Sequence, residues 1–178
     1  MTPEEFRKRV LPEGRRLYAL AFRYLNNREE AEDAVQEVMM KLWSERNEKR
    51  ELSSVAAWCT TVTRNCCIDL LRRRKSLRIG DETVAEGIAA FVADPGKSHD
   101  NSEAAHLIRV IISRMKEPGR SAVIMRDVEG YSYEETAEAM GMNVTALRTL
   151  MSRARKQVRD EMVRIYGYGT GKDQRTAG

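Results

Sequence analysis

Between Tyr131 and Val158 the chain reads YSYEETAEAMGMNVTALRTLMSRARKQV, an order of residues that few folds can host. Ser132, with Glu135 three residues on, predicts a capping box at the start of a helix. The small Ala137 and Ala139 leave room for another helix to come close. Gly141 follows Met140 and supplies the left-handed backbone that stops a helix. Asn143 can then cap the next helix by accepting one of its free backbone N–H groups. The stretch therefore predicts helix, tight turn, helix.

The second of these helices has two distinct sides. Val144, Leu147, Met151, Ala154 and Val158 recur at helical spacing as an apolar stripe. Thr145, Arg148, Thr149, Ser152 and Lys156 share the other side, flanked by Arg153, Arg155 and Arg159. An apolar back and an Arg/Thr/Ser front fit the major groove of DNA. Arginine pairs with guanine edges there, while hydroxyls and lysine hold phosphates. A solvated basic face on an ordinary amphipathic helix is the alternative, and the charge run alone would favour it. The two caps and the glycine turn shift the reading to a DNA-reading helix-turn-helix.

Composition bounds the rest. The 178 residues suffice for one domain or two small ones, and they are 33% charged and 6% aromatic, a helical profile. No apolar run approaches the roughly 20 residues that span a bilayer. The start, MTPEEFRKRV, lacks the apolar core of a signal peptide. A cytoplasmic protein without membrane insertion is expected. Charge is uneven: residues 1–78 hold 17 Lys/Arg against 12 Asp/Glu, residues 79–103 hold 1 against 6, and residues 104–178 hold 13 against 9. Two basic ends around an acidic middle suggest two nucleic-acid-facing modules and a connector that avoids DNA. Cys59, Cys66 and Cys67 fall in one predicted helix with no metal-like spacing and read as small buried residues. His99 and His106 have no partner pattern and read as surface residues.

Residues 3–26 read as helix with a break near Pro12, which lacks an N–H. Asn27 with Glu30 opens a second helix, Arg28 to about Ser44. Its core stripe leaves Asp33, Gln36 and Glu37 together on one polar face. Acidic residues in a first turn favour the helix dipole without further purpose, yet such a face can also dock a basic partner. After the polar loop ERNEKREL, Ser53 or Ser54 is expected to cap a long helix. Val55, Trp58, Val62, Cys66, Leu70 and Arg73 follow one line along it. Trp58, Thr61, Arg64, Asn65 and the Arg72–Arg73 pair are groups that stack on bases or bind phosphate. Asp69 can pair with Arg73 one turn on, and a basic helix end is stabilising in itself. Residues 76–102, punctuated by Gly80, Gly87, Pro95 and Gly96, read as an acidic tether with one short helix around Val84 to Val92. Asn101 or Ser102 caps a helix from Glu103 to about Met115. Pro118 suits the first turn of another, with Ala122, Val123, Met125 and Val128 buried and Gly130 ending it. The Gly-rich tail reads as disordered.

Two of these stretches carry a family resemblance. AEDAVQEVMMKLW, followed by Trp58 and then Arg64, Asn65, Asp69, Arg72 and Arg73, resembles region 2 of sigma-70 family sigma factors. RDVEGYSYEETAEAMGMNVTALRTLMSRARKQV resembles region 4. With nothing like region 1.1 or region 3, the economy is similar to the extracytoplasmic-function group. The resemblance implies an all-α fold of two small helical domains joined by a flexible acidic linker: region 2 over 1–78, linker over 79–102, region 4 over 103–165, tail over 166–178. It implies a bacterial initiation factor that binds core RNA polymerase and promoter DNA. Asp33, Gln36, Glu37 and Met40 would dock on the polymerase clamp helices. Glu45, Arg46, Asn47 and Lys49 of the loop, with Trp58, Arg64 and Asn65, would hold the opened −10 strand, supported by Arg72 and Arg73. Thr145, Arg148, Thr149, Ser152, Arg153 and Lys156 would read the −35 element. The family often has a cognate anti-sigma factor. No catalysis and no cofactor or metal are implied.

Two other readings compete. A stand-alone regulator with a ligand or dimer domain explains residues 104–165 but leaves the first module's motifs without a reason. An enzyme acting on nucleic acid would need a catalytic set, and no paired carboxylates in a metal-like cluster, Ser/His/Asp arrangement or phosphate-cradling glycine loop occurs. Asp33 and Glu37 could ligate a metal at i, i+4, but surface charge is the commoner meaning of that spacing.

Overall fold

The computed structural model describes residues 2–45, 52–77 and 103–166. The expected short helix at 84–92, the caps at Asn101 or Ser102, His99, the tether and the tail all lie outside those residues. Among the described residues every regular element is helical, as expected. The elements are α1 (Pro3–Arg9), a 3₁₀ turn (Leu11–Glu13), α2 (Gly14–Leu25), α3 (Arg28–Ser44) and α4 (Leu52–Leu77). After residues 78–102 come α5 (Glu103–Arg114), α6 (Gly119–Val123) running into a π-turn (Ile124–Val128), α7 (Tyr133–Ala139) and α8 (Val144–Tyr166).

The punctuation follows the local chemistry. Thr2 and Glu5 form a capping box on α1, and Pro12 sits in the 3₁₀ turn that separates α1 from α2. Asn26 takes φ 50°, a left-handed conformation that asparagine tolerates, and ends α2. Asn27 Oδ1 accepts the Glu30 N–H at 3.1 Å and starts α3. Glu30 does not return the capping bond; its carboxylate pairs with Arg74 at the far end of α4.

The helices α2, α3 and α4 pack around Leu17, Val38, Leu42, Val55 and Cys59, with Val10 closing one end. One expectation for the start of α4 needs correction. It begins at Leu52, so Ser53 and Ser54 fall inside the helix rather than at its cap. Its buried line is Val55, Cys59, Thr63 and Cys67, not the line through Trp58, Val62, Cys66 and Leu70, which lies half-buried at the flank. A helix enclosed on more than one side needs small residues at its closest approach, so Cys and Thr take the centre and the large apolar groups fill the margin. Cys59 and Cys67 are buried as expected, whereas Cys66 is a correction, being only half-buried on the flank of the helix. Burial pushes the Cys67 thiol up to about 12.

In the second half the capping box on Ser132, the left-handed Gly141 (φ 65°) and the Asn143 cap all appear where expected. Val128 is a correction: it is exposed and Ile124 is buried in its place. Residues 124–128 wind as a π-turn, with Glu129 N–H donating to Ile124 O at 2.9 Å, and the extra residue per turn swings Val128 outward.

The two halves do not stand apart. One continuous apolar core joins Leu20, Ala21 and Tyr24 of α2 and Cys67 of α4 to Ile112, Ile124 and Tyr131 of the second half. The two basic modules are therefore docked on each other.

Candidate nucleic-acid interface

The apolar back of α8 is seated as its periodicity requires, with Leu147, Met151 and Ala154 buried and Val144 and Val158 half-buried. That seating fixes which way the other side faces. Thr145, Arg148, Thr149, Ser152, Arg153 and Lys156 are all exposed on one surface. Docking of the two halves leaves this surface open.

Arg126, from the preceding π-turn, adds to the positive surface in a way the α8 periodicity does not reveal. The guanidinium of Arg148 lies 4.7 Å from the centroid of the Tyr133 ring, and that of Arg126 lies 4.7 Å from the same ring. Tyr133 thus restrains a side chain that would otherwise sample many rotamers. Arg155 grips Asp127 with two bonds of 2.9 and 2.6 Å, which raises its pKa further, and leans α8 against the π-turn. Lys156 is drawn back along α8 by Asp160 at 2.6 Å. Tyr133 opens the first helix of the motif and Arg126 lies just before it, but the ring-to-arginine geometry depends on the α7–α8 crossing.

The candidate strand-binding groups on α4 divide into two sets. Asn65, Arg72 and Arg73 are exposed. Arg72 pairs with Asp69 at 3.6 Å, so the expected Asp69–Arg73 pair is replaced by one a residue earlier. Trp58 packs against the first core, and Glu45 is half-buried at the end of α3. Arg46, Asn47 and Lys49 lie outside the described residues. Arg64 is the surprise. Its side chain is only 14% exposed, and it lies 3.9 Å from the Glu117 carboxylate of the second half while donating to Asn65 Oδ1 at 3.0 Å.

On α3 the residues Asp33, Gln36, Glu37 and Met40 are brought together, with Lys41 and Ser44, around a shallow groove of about 540 Å³. Met40 is 72% exposed at its edge, an apolar group set in an acidic surface. Among the described residues no group of three or more His, Cys, Asp or Glu could hold a metal ion. Among them, too, no helix is long and apolar enough to cross a membrane.

Two family models match the chain: sigma-70 region 2 over residues 10–77 and sigma-70 region 4 over residues 105–158. The chain is 27% identical over 152 residues to the ECF RNA polymerase sigma factor SigE of Mycolicibacterium smegmatis, covering 84% of this chain and 58% of that protein. It is 29% identical over 147 residues to the RNA polymerase sigma factor SigV of Bacillus subtilis, covering 83% and 84%. In fold it matches the sigma factor RpoE of Bartonella quintana, solved with the anti-sigma factor NepR, at a TM-score of 0.70 and 24% identity, over 91% of this chain and 98% of that one. CnrH, solved with the cytosolic domain of CnrY, matches at a TM-score of 0.65 and 18% identity, over 90% and 89%. Two family models in order over both helical halves, and relatives of the same kind along most of the length, settle the kinship: the chain belongs to the sigma-70 family, in its extracytoplasmic-function group.

Proposed function

We propose that this protein is a non-catalytic, cytoplasmic transcription initiation factor that joins core RNA polymerase and directs it to promoters. In this reading residues 1–78 bind polymerase and the opened −10 strand, and residues 103–165 read the −35 duplex. The observation that carries it is the exposed, tyrosine-braced polar face of α8 on a fully seated apolar back. Thr145, Arg148, Thr149, Ser152 and Arg153 reach base edges and phosphates there, with Lys156 toward the backbone. The groove of Asp33, Gln36, Glu37 and Met40 takes a basic, partly apolar helical surface of the polymerase. Asn65, Arg72 and Arg73, with Arg64, Trp58 and the loop bearing Glu45, Arg46, Asn47 and Lys49, track the single strand.

The factor makes and breaks no bonds. Holding a base out of its stack costs a few kcal/mol, which a fitted strand-binding surface offsets. Run-off transcription with purified core polymerase tests the reading. Promoter-specific transcripts support it; binding of an operator in the absence of polymerase, with no specific transcript, would favour a stand-alone regulator. Arg148→Ala and Arg153→Ala should each lose about 1–3 kcal/mol of −35 discrimination. Both should retain core binding in a pull-down, and equal loss of the two activities would refute a dedicated reading face.

A further inference from the structure

Two arginines on the exposed side of α8 sit in opposite kinds of surroundings. Arg148 and Arg155 are seven residues apart, about two turns along one line of the helix. Arg155 is held by both oxygens of Asp127, through Nε at 2.9 Å and a terminal nitrogen at 2.6 Å. Asp127 is the chief cause that its pKa is raised, and the Tyr133 side chain adds to the shift. A guanidinium engaged by a carboxylate in this two-pronged way has spent the edge with which it would grip a phosphate. Its charge is also largely offset. Arg155 is therefore poorly placed to hold DNA, although its position between Arg153 and Lys156 reads as a DNA contact.

Arg148 meets a ring instead of a carboxylate. It is exposed, and its guanidinium lies 4.7 Å from the centroid of Tyr133. A ring attracts the cation through its face without neutralising it. A stacked arginine keeps its N–H fork free for a guanine edge or a phosphate. Tyr133 can act this way because it is itself fixed. It is the first residue of α7, directly after the Ser132 cap. Its half-buried ring packs against the cluster of Ala122, Ala137, Leu147 and Met151. Arg126, tied to the Tyr131 carbonyl at 3.2 Å, lies 4.7 Å from the same centroid. A long side chain that is ordered before it meets its partner loses less entropy on binding.

We infer that Tyr133 is the positioning residue that aims Arg148 at its base pair, and that Arg155, clamped by Asp127, supports Tyr133 and does not touch DNA. This rests on the −35 reading role proposed for Arg148. It adds that discrimination at one base pair is set by a side chain outside the reading helix, and it removes one cation of α8 from the set that meets phosphates.

The test reconstitutes core polymerase with the full-length chain and offers it a pool of fully randomised duplexes long enough for both promoter elements. Sequencing of the bound fraction gives a preference at each position. Arg148→Ala identifies the base pair that Arg148 reads, as the position whose preference disappears. Tyr133→Leu should flatten that same position by about fivefold, the size of one exposed cation–ring contact, and leave the others within about twofold of wild type. Tyr133→Phe keeps the ring and should keep the preference. Tyr133→Leu added to Arg148→Ala should change nothing further, since the group it aims is gone. Arg155→Gln should weaken the same position with the salt dependence of affinity unchanged, whereas loss of a phosphate contact would lower that slope by about one.

Equal flattening at every position would make Tyr133 a packing residue only and overturn the inference. An unchanged preference at the Arg148 position would do the same, and a lowered salt slope in Arg155→Gln overturns the role given to Arg155. Nitrogen-15 relaxation of the arginine Nε–Hε groups in the free chain is a second readout that needs no DNA. Arg148 should be restrained in wild type and Tyr133→Phe and mobile in Tyr133→Leu; equal mobility in all of them sinks the idea. A wild-type holoenzyme that enriches no sequence counts against the reading role of Arg148 itself, while one that enriches a sequence Tyr133→Leu leaves intact counts against the positioning alone.

Discussion

Thr136 shows how a single atom can run against an otherwise consistent helix. It is fully buried in α7, and its hydroxyl oxygen has no hydrogen-bond partner. A buried hydroxyl left unpaired costs about 1–3 kcal/mol. Thr136→Val keeps the shape and removes the orphan, so it should raise unfolding free energy by about 1 kcal/mol, read from urea or thermal midpoints. A loss of stability would mean that the hydroxyl finds a partner after all. At this scale the sequence was most legible where side chains bond within four residues. Ser132 with Glu135 and Asn143 with Ala146 are both present as sequence spacing implied. It was least legible where the partner lies far along the chain. Nothing near Arg64 announces Glu117, and nothing near Glu30 announces Arg74.

Whole helices were read well from periodicity, and the misreadings have a physical pattern. The α8 stripe held because one side of that helix is packed and the other is wet. On α4 the line of large apolar residues did not reveal the most buried track, because that helix is packed on several sides. Val128 was misplaced because the π-turn breaks the 3.6-residue repeat on which the reading depends. The turn between α7 and α8 offers a direct check. Gly141 has φ 65°, and a Cβ added there would meet nothing within 4 Å, so substitution is opposed by the backbone alone. Gly141→Ala should therefore cost about 1–2 kcal/mol, seen as a lower thermal midpoint with far-UV dichroism preserved. A negligible change would show that the backbone escapes the left-handed conformation.

At the level of the whole molecule, the sequence's two basic ends and acidic middle suggested separate modules, and the structure joins them through a shared core. The signal was divided between Arg16, Arg23 and Arg64 on one side and Glu135, Glu129 and Glu117, far along the chain, on the other, each unremarkable in its own surroundings. One of those glutamates should make the stability of the docked fold depend on pH. The hydrogen bonds from Arg16 hold the Glu135 carboxyl below its ordinary value of 4.5, ahead of the opposing effect of burial. A carboxyl depressed in the folded state stabilises it fully above the ordinary carboxylate range, and that contribution fades as pH falls through the folded value. Thermal midpoints measured from about pH 6 down to about pH 3 should therefore fall more steeply for wild type than for Glu135→Gln. Parallel curves would show that the pair adds nothing to the fold.

The ion pairs across the junction, Arg16–Glu135, Arg23–Glu129 and Arg64–Glu117, each set a cation of the first half against a carboxylate of the second, with a consequence beyond the single chain. Two copies of either face would set like charge against like at those positions, which disfavours pairing of either half with its twin. In a crowded solution that favours reciprocal exchange as the route to pairing through that seam, each molecule lending its trailing half to the other.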